Sequence, residues 1–132
     1  MVIDSSALVA IFLAEPERSV YLELIEKTEV RLISAVNVFE TGMVLEARRG
    51  EAIGREFDLF VTRANLQIVP FDADQVVIAR QAFRRFGKGR HRAALSFGDC
   101  FSYALAKLSG EPLLAKGNNF AQTDIALCSL GT

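Results

Sequence analysis

Carboxylate and amide side chains that could bind a cation stand far apart in the chain, at Asp4, Glu40, Asp99 and the pair Asn118 and Asn119. The first ends a short apolar run, and the aspartate at position 99 opens an apolar helical pattern. If the apolar runs are parallel strands, ligands should collect where their carboxyl ends meet, and the distant side chains should converge there. Converging oxygen ligands favour a divalent-cation site and hence cation-dependent chemistry on phosphates.

The pattern around Glu40 strengthens this interpretation. In a helix its neighbours four residues back and three and four residues on are Val36, Met43 and Val44, so its carboxylate is predicted to lie on an apolar face. A charge placed there is costly unless it is paired with another charge or bound to a metal. Asp4 has a simpler explanation as a helix N-cap, although Ser5 and Ser6 are expected to cap that helix and leave Asp4 free.

Length and composition restrict the class of protein. The 132 residues fit one domain over 1–132, and an apolar fraction of 51% excludes a disordered chain. No apolar run has the length of a membrane span, and neither a signal peptide nor membrane association is expected. Cys100 and Cys128 lack zinc-site spacing, and His91 is the single histidine. These features exclude a histidine-rich metal site and predict buried thiols in a reducing cytoplasm.

The net charge is −1, but five basic residues lie within nine positions. They are Arg84, Arg85, Lys88, Arg90 and Arg92. A local basic patch can contact phosphates even when the total charge is near zero. The same residues are also typical of a solubilising loop, and charge alone does not separate the two interpretations.

Short apolar runs alternate with helical patterns along the chain. Strands are predicted at 2–3, 31–33, 66–69 and 112–115, with a fifth at 124–127. Helices are predicted at 7–13, from Glu15 and Pro16, from an N-cap at Ser34 to Gly50, at 53–64, from a cap at Asp72 to Phe86, and at 97–108. This alternation favours an α/β fold with a mostly parallel sheet of four to five short strands covered by helices.

Six motifs carry a resemblance to a known family. They are residues 1–7 (MVIDSSA), 34–40 (SAVNVFE), 86–91 (FGKGRH), 97–100 (FGDC), 113–120 (LLAKGNNF) and 123–125 (TDI). In this order, and over essentially its whole length, the chain resembles a PIN-domain ribonuclease of the VapC toxin type.

The resemblance implies a fold, an activity and partners. The fold would be a PIN-like three-layer α/β/α domain, and the activity Mg²⁺- or Mn²⁺-dependent hydrolysis of RNA phosphodiester bonds by the toxin of a type II toxin–antitoxin pair. Asp4, Glu40 and Asp99 would be both catalytic and metal-binding, and Ser5 would hydrogen-bond a ligand carboxylate. The basic residues Arg84, Arg85, Lys88 and Arg90 would bind RNA. The implied partners are a cognate VapB-type antitoxin and a second copy of the chain in a homodimer.

One motif departs from the family pattern. The family usually has an acid directly before the phenylalanine of the last motif, where this chain has Asn118 and Asn119. The fourth position of the metal site is therefore open between Asn119, Asn118 and Asp124. Two alternatives remain open. One is a nuclease of this fold that uses the same acids on DNA. The other is a binding module whose catalysis is weakened because Asn119 replaces the acid.

The first two helices carry apolar residues that are either core or a groove for an amphipathic antitoxin segment. These residues are Val9, Phe12, Leu13, Tyr21, Leu24 and Ile25.

Overall fold

The computed structural model describes residues 1–130, and its centre is a four-stranded parallel sheet. The strands are β1 (Val2–Ile3), β2 (Leu32–Ser34), β3 (Gln67–Val69) and β4 (Leu113–Leu114), in the spatial order β3-β2-β1-β4. All three strand pairings are parallel, as the alternation of apolar runs and helices predicted. The edge at the carboxyl ends of β1 and β2 is the one that supports the site described below.

Helices cover both faces of this sheet. They are α1 (Ser5–Phe12), α2 (Arg18–Lys27), α3 (Ala35–Arg49), α4 (Glu51–Arg63), α5 (Ala73–Phe86) and α6 (Phe97–Ser109). Successive strand residues point to opposite faces, so Ile3 and Leu114 enter a core with α1 to α4, whereas Val2 and Leu113 enter a core with α5 and α6. Two cores, one on each face of the sheet, establish the three-layer α/β/α arrangement.

Some predicted element boundaries are confirmed and others are wrong. Asp72 caps α5 by accepting a hydrogen bond from the Gln75 backbone N–H at 3.0 Å, as predicted. Ser34 does occupy the N-cap position of α3, but its hydroxyl makes no capping bond and is buried without a partner. The second helix begins at Arg18, two residues beyond Pro16, because Glu15 and Pro16 belong to the preceding turn.

The predicted fifth strand at 124–127 is not a strand. Leu127 forms one isolated parallel bridge with Leu113, supported by bonds from Leu113 N–H to Ala126 O and from Cys128 N–H to Leu113 O, each 2.9 Å. The segment therefore pairs with β4 at a single point. No helix among residues 1–130 is long and apolar enough to cross a membrane.

The six apolar residues of the first two helices divide between core and surface. Tyr21 and Ile25 are buried in the core, which excludes them from a docking groove. The other four, Val9, Phe12, Leu13 and Leu24, are half-buried and pack against that core.

Candidate active site

A cleft of about 390 Å³ lies beyond the carboxyl end of β1, between α1, α3 and α6. The three predicted acids Asp4, Glu40 and Asp99 all line it. The other lining residues are Ser5, Ser6, Val9, Glu15, Val44, Arg48 and Lys116. The structure thus brings together carboxylates from sequence positions that are far apart.

Asp4 is buried and both of its carboxylate oxygens have hydrogen-bond donors. Oδ2 accepts from the Ser6 backbone N–H at 3.0 Å and from the Ser6 hydroxyl at 2.6 Å, while Oδ1 contacts the Ser102 hydroxyl. Asp4 is therefore the N-cap of α1, and the expectation that Ser5 and Ser6 would free it from capping is wrong. Burial raises the pKa of Asp4, although the hydroxyls of Ser102 and Ser6 oppose that effect, and the charge of Asp99 raises the pKa further.

Asp99 stands in the first turn of α6 and is held by a reciprocal capping box. Its Oδ2 accepts from the Ser96 backbone N–H at 2.9 Å, and the Ser96 hydroxyl accepts from the Asp99 backbone N–H at 3.2 Å. One carboxylate oxygen is thereby fixed by its own helix. Because Asp99 lines the cleft, its helix-capping role and a role in the site are compatible.

Glu40 reaches the cleft, but the reasoning from an apolar helix face was wrong. The buried residues of α3 are Asn37, Thr41 and Leu45, whereas Met43 is 54% exposed. Glu40 is half-buried beside the core stripe and does not lie within it. Its carboxylate is held by the Asn37 side-chain amide, whose Nδ2 lies 3.3 Å from Glu40 Oε1.

Gly98 makes room for that carboxylate. A Cβ atom built on Gly98 would lie 2.7 Å from Cδ of Glu40, closer than real Cβ contacts come. The side chain of Glu40 therefore rests against the backbone of the first turn of α6. A glycine next to Asp99 is thus explained by the close approach of α3 to α6.

The predicted role of Ser5 is wrong, and three polar residues were missed. Ser5 bonds Asn37 instead of a carboxylate: its hydroxyl donates to Asn37 O at 3.2 Å and accepts from Asn37 Nδ2 at 3.1 Å. The residues that do contact the acids are Ser6 and Ser102 at Asp4, and Asn37 at Glu40. Ser6 stands two residues after Asp4 and Asn37 three residues before Glu40, whereas Ser102 is 98 positions from Asp4.

The structure does not bring the candidates for the fourth position into this cleft. Asn118 and Asn119 are exposed in the loop after β4 and do not line the cleft, whereas Lys116 of the same loop does. The Lys116 backbone N–H donates to the Ser6 hydroxyl at 2.9 Å, so the loop begins at the cleft edge. The Lys116 ammonium forms ion pairs with Glu15 and Glu17.

Asp124 belongs to a separate ion-pair cluster. It accepts hydrogen bonds from the Tyr103 hydroxyl and the Lys107 ammonium, each at 2.7 Å, and lies 3.7 Å from the Arg85 guanidinium. These interactions account for its charge without a metal. Lys107 and Tyr103 together lower the pKa of Asp124 although partial burial raises it.

The predicted RNA-binding residues lie outside the acidic cleft and are all exposed. Arg84 and Arg90 border an apolar groove between α5 and α6, and the Arg90 guanidinium lies 5.0 Å above the Phe83 ring. Arg85 stacks on Phe86 at 4.7 Å, and Lys88 is exposed in the loop before α6. The groove is lined by Phe71, Val76, Ala79, Arg80, Phe83, Arg84, Arg90, Phe97, Cys100 and Phe101.

The donor set of the cleft fits Mg²⁺ or Mn²⁺ better than a softer metal. Its candidate ligands are carboxylate oxygens, which hard cations prefer, and no histidine or cysteine lines the cleft. Within residues 1–130, no three His, Cys, Asp or Glu side chains are arranged to bind one ion together. Mg²⁺ usually keeps several waters and needs only one or two carboxylates, so Asp4 and Asp99 would be sufficient protein ligands.

The fold and the acids at the carboxyl edge of its parallel sheet together indicate the class of protein to which the chain belongs. The family model described as "PIN domain" matches residues 1–126, so the chain belongs to the PIN-domain family. Within that family it is a VapC-type member. It is 52% identical to VapC30 of Mycobacterium tuberculosis over 98% of this chain and 99% of that protein. It is also 54% identical to a VapC ribonuclease of Mycolicibacterium smegmatis over 96% and 98% of the respective chains.

A solved structure supports the fold independently. The crystal structure of VapC20 of Mycobacterium tuberculosis, described as a sarcin–ricin loop cleaving toxin, matches this structure with a TM-score of 0.78. The match covers 95% of each chain at 19% sequence identity. At that identity the likeness shows the PIN fold alone.

Proposed function

We propose that the protein is the toxin of a type II toxin–antitoxin pair and an Mg²⁺-dependent endoribonuclease. The observation that carries the proposal is the single cleft lined by Asp4, Glu40 and Asp99. The names of the relatives, VapC ribonucleases at 52% and 54% identity, support the same activity.

Each acid has a separate task in this proposal. Asp4 and Asp99 would hold the cation, which would supply a lowered pKa for a bound water and positive charge against the phosphate. Glu40, held from one side by Asn37, orients the attacking water and accepts its proton. Arg48 lines the same cleft and provides positive charge for the phosphates that flank the scissile bond, whereas Lys116 is already paired with Glu15 and Glu17.

RNA outside the cleft would be held by the exposed basic residues. Arg84, Arg85, Lys88 and Arg90 contact the RNA backbone in this proposal, which contributes salt-dependent affinity without sequence choice. Arg85 is the weakest of the four candidates because it already lies beside Asp124.

The activity is tested with purified protein, Mg²⁺ and single-stranded RNA or DNA of the same sequence. We expect RNA cleavage that EDTA abolishes, and loss of cleavage in Asp4→Asn and Asp99→Asn variants that keep the folded circular dichroism spectrum. Asp74→Asn is the matched control, because Asp74 is an exposed first-turn acid of α5. Wild-type cleavage by either active-site variant would refute the ligand assignment.

The same assay decides between the proposal and its two alternatives. Preferential cleavage of DNA would replace the ribonuclease with a DNA-directed nuclease. Absence of turnover on both substrates, with Mn²⁺ binding retained, would favour a binding module weakened at Asn119.

For partners, we propose a VapB-type antitoxin and a homodimer. A depression between α1, α2 and α4 offers apolar contacts to an amphipathic antitoxin segment, with charges at its rim. Its lining residues are Ile11, Phe12, Arg18, Leu22, Glu56, Leu59, Phe60 and Arg63. Co-purification of a co-expressed antitoxin that suppresses cleavage would support this partner, and full activity of the complex would contradict it.

The exposed side chain of Phe97 supports the homodimer. Phe97 is 81% exposed, and a large aromatic ring left open to water favours a protein partner. Light scattering is expected to show a dimer, and a strict monomer would contradict it. We propose a cytoplasmic location, which the two free cysteines support because reducing compartments keep thiols unpaired.

A further inference from the structure

Behind the three acids lies a buried polar cluster formed by Ser5, Asn37 and Ser102, of which only Ser5 lines the cleft. The side chains of Asn37 and Ser102 are fully buried, and Ser5 is nearly so. Burying an amide or hydroxyl is costly when it lacks partners, and apolar residues of similar shape would fill the same space without that cost. A buried polar cluster therefore needs a reason, and its contacts supply one.

The amide of Asn37 joins three helices. Its Nδ2 has two hydrogens and faces three acceptors: Ser5 Oγ at 3.1 Å, Glu40 Oε1 at 3.3 Å and Gly98 O at 3.3 Å. These acceptors belong to α1, α3 and α6 respectively. The amide thereby links Glu40 to the α6 backbone next to Asp99.

Ser102 connects that amide to Asp4. Its hydroxyl lies 3.1 Å from Asn37 Oδ1 and also contacts Asp4 Oδ1. A hydroxyl has only one hydrogen and here faces two acceptors, so the position of Ser102 bears directly on the orientation of the Asp4 carboxylate. Asp4, Ser102, Asn37 and Glu40 form one continuous chain of contacts behind the cleft.

We propose that Ser102 and Asn37 are positioning residues, with Ser102 orienting Asp4 for cation binding and Asn37 orienting Glu40 for the attack on RNA. This proposal rests on the proposed ribonuclease function. Residues that hydrogen-bond ligand carboxylates from behind typically contribute about 10–100-fold to metal affinity or activity. Asn37 and Ser102 stand in that relation to the acids, since neither lines the cleft.

Thr41 provides a matched control within the same helix. It is as fully buried as Asn37 and one turn further along α3, but its hydroxyl donates only to the Asn37 backbone carbonyl, at 2.7 Å. Thr41→Val therefore removes one buried hydrogen bond without touching an acid. A purely structural role for the polar cluster would make all three positions behave alike.

The test compares Ser102→Ala, Asn37→Ala and Thr41→Val in the full chain. Isothermal titration with Mn²⁺ measures cation affinity, single-turnover cleavage at saturating Mg²⁺ measures the rate, and urea unfolding measures stability. Ser102→Ala is expected to weaken Mn²⁺ binding by about tenfold and to recover most of its cleavage at high Mg²⁺. Asn37→Ala is expected to keep Mn²⁺ affinity closer to wild type and to lose about tenfold or more in rate at saturating Mg²⁺.

Thr41→Val should retain wild-type cation affinity and rate even if its unfolding midpoint falls. If Asn37→Ala does not fold, Asn37→Ser takes its place, because it is neutral and polar and its shorter side chain loses the donor to Glu40. Wild-type affinity and rate in the Ser102 and Asn37 variants, or equal losses in Thr41→Val, would overturn the proposal.

A different result would refute the proposed function, namely wild-type protein that does not cleave RNA. In that event the Mn²⁺ titration still decides the role of Ser102. Equal affinity in wild type and Ser102→Ala, or no Mn²⁺ binding by either, would overturn the positioning role.

Discussion

Gly98→Ala should separate catalysis from stability in this protein. The added Cβ would lie 2.7 Å from both Cδ and Oε1 of Glu40, whereas ordinary van der Waals contact begins near 3.4 Å. The Glu40 side chain is half-buried and can rotate, so its carboxylate is expected to move by roughly 1 Å without a change of backbone. Position 98 lies inside the first turn of α6, where alanine favours the helix over glycine by up to about 1 kcal/mol.

The expected result is a large loss of rate with little loss of stability. A misplacement of about 1 Å in a catalytic group can cost about 100-fold in rate, which corresponds to about 2.7 kcal/mol of transition-state stabilisation. The free energy of unfolding is expected to stay within about 1 kcal/mol of wild type, since the gain in helix propensity offsets the lost contact of Glu40 with Asn37. Single-turnover RNA cleavage at saturating Mg²⁺ and urea unfolding measure the two quantities.

Gly54→Ala is the matched control for this prediction. Its Cβ would lie 2.7 Å from Cδ of Glu46, so it also crowds a glutamate, although less closely than Gly98→Ala does, at a position outside the acidic cleft. Gly54→Ala should cleave RNA at the wild-type rate. In a Glu40→Gln background, Gly98→Ala should add little further loss, because it acts through Glu40. Wild-type cleavage by Gly98→Ala, or full additivity with Glu40→Gln, would refute the reasoning.

Three further predictions follow from the site and its surroundings. Because burial raises the pKa of Asp4, the metal-free protein should lose stability as the pH rises from 3.8 through that raised pKa. In EDTA, Asp4→Asn should therefore unfold at a higher urea concentration than wild type at pH 7 but not at pH 4. Asn118→Asp or Asn119→Asp adds negative charge to the loop that begins at the cleft edge, and should raise Mn²⁺ affinity by calorimetry although neither side chain lines the cleft. Unchanged affinity in both would exclude that loop from the metal site. Replacing Arg84 and Arg90 by glutamine should reduce the salt slope of RNA binding by about 1.4, with Arg55→Gln as the unaffected control.

The sequence alone predicted the layers of the fold because the relevant signals are local. Apolar runs too short for helices, alternating with helical periodicity, are sufficient to indicate a parallel sheet between helices. Asp4 and Asp99 were found for the same reason, since each stands where a strand ends or a helix begins. The family resemblance of the motifs then supplied the function that these positions support.

Tertiary structure decided how the polar residues behind the acids are joined, although Ser6 and Asn37 hold Asp4 and Glu40 within their own segments. Ser102 contacts Asp4 across 98 positions and Asn37 across 65, and Asn37 reaches the carbonyl of Gly98 across 61. In the sequence nothing distinguishes these residues from other polar positions within a helical pattern. Their roles depend on how α1, α3 and α6 meet, and packing between helices sets that geometry while local propensity does not.

Glu40 shows what helical periodicity in a sequence cannot predict. The sequence located Glu40 correctly in the cleft, but by an apolar face that is only partly covered: Val36 and Val44 are half-buried and Met43 is more than half exposed. Helical periodicity states which residues share a face, whereas only the arrangement of neighbouring elements decides which face is covered. In α3 the covered face carries Asn37, Thr41 and Leu45. Asn37, the residue that positions Glu40, therefore lies on a different face from the one that the apolar periodicity indicated.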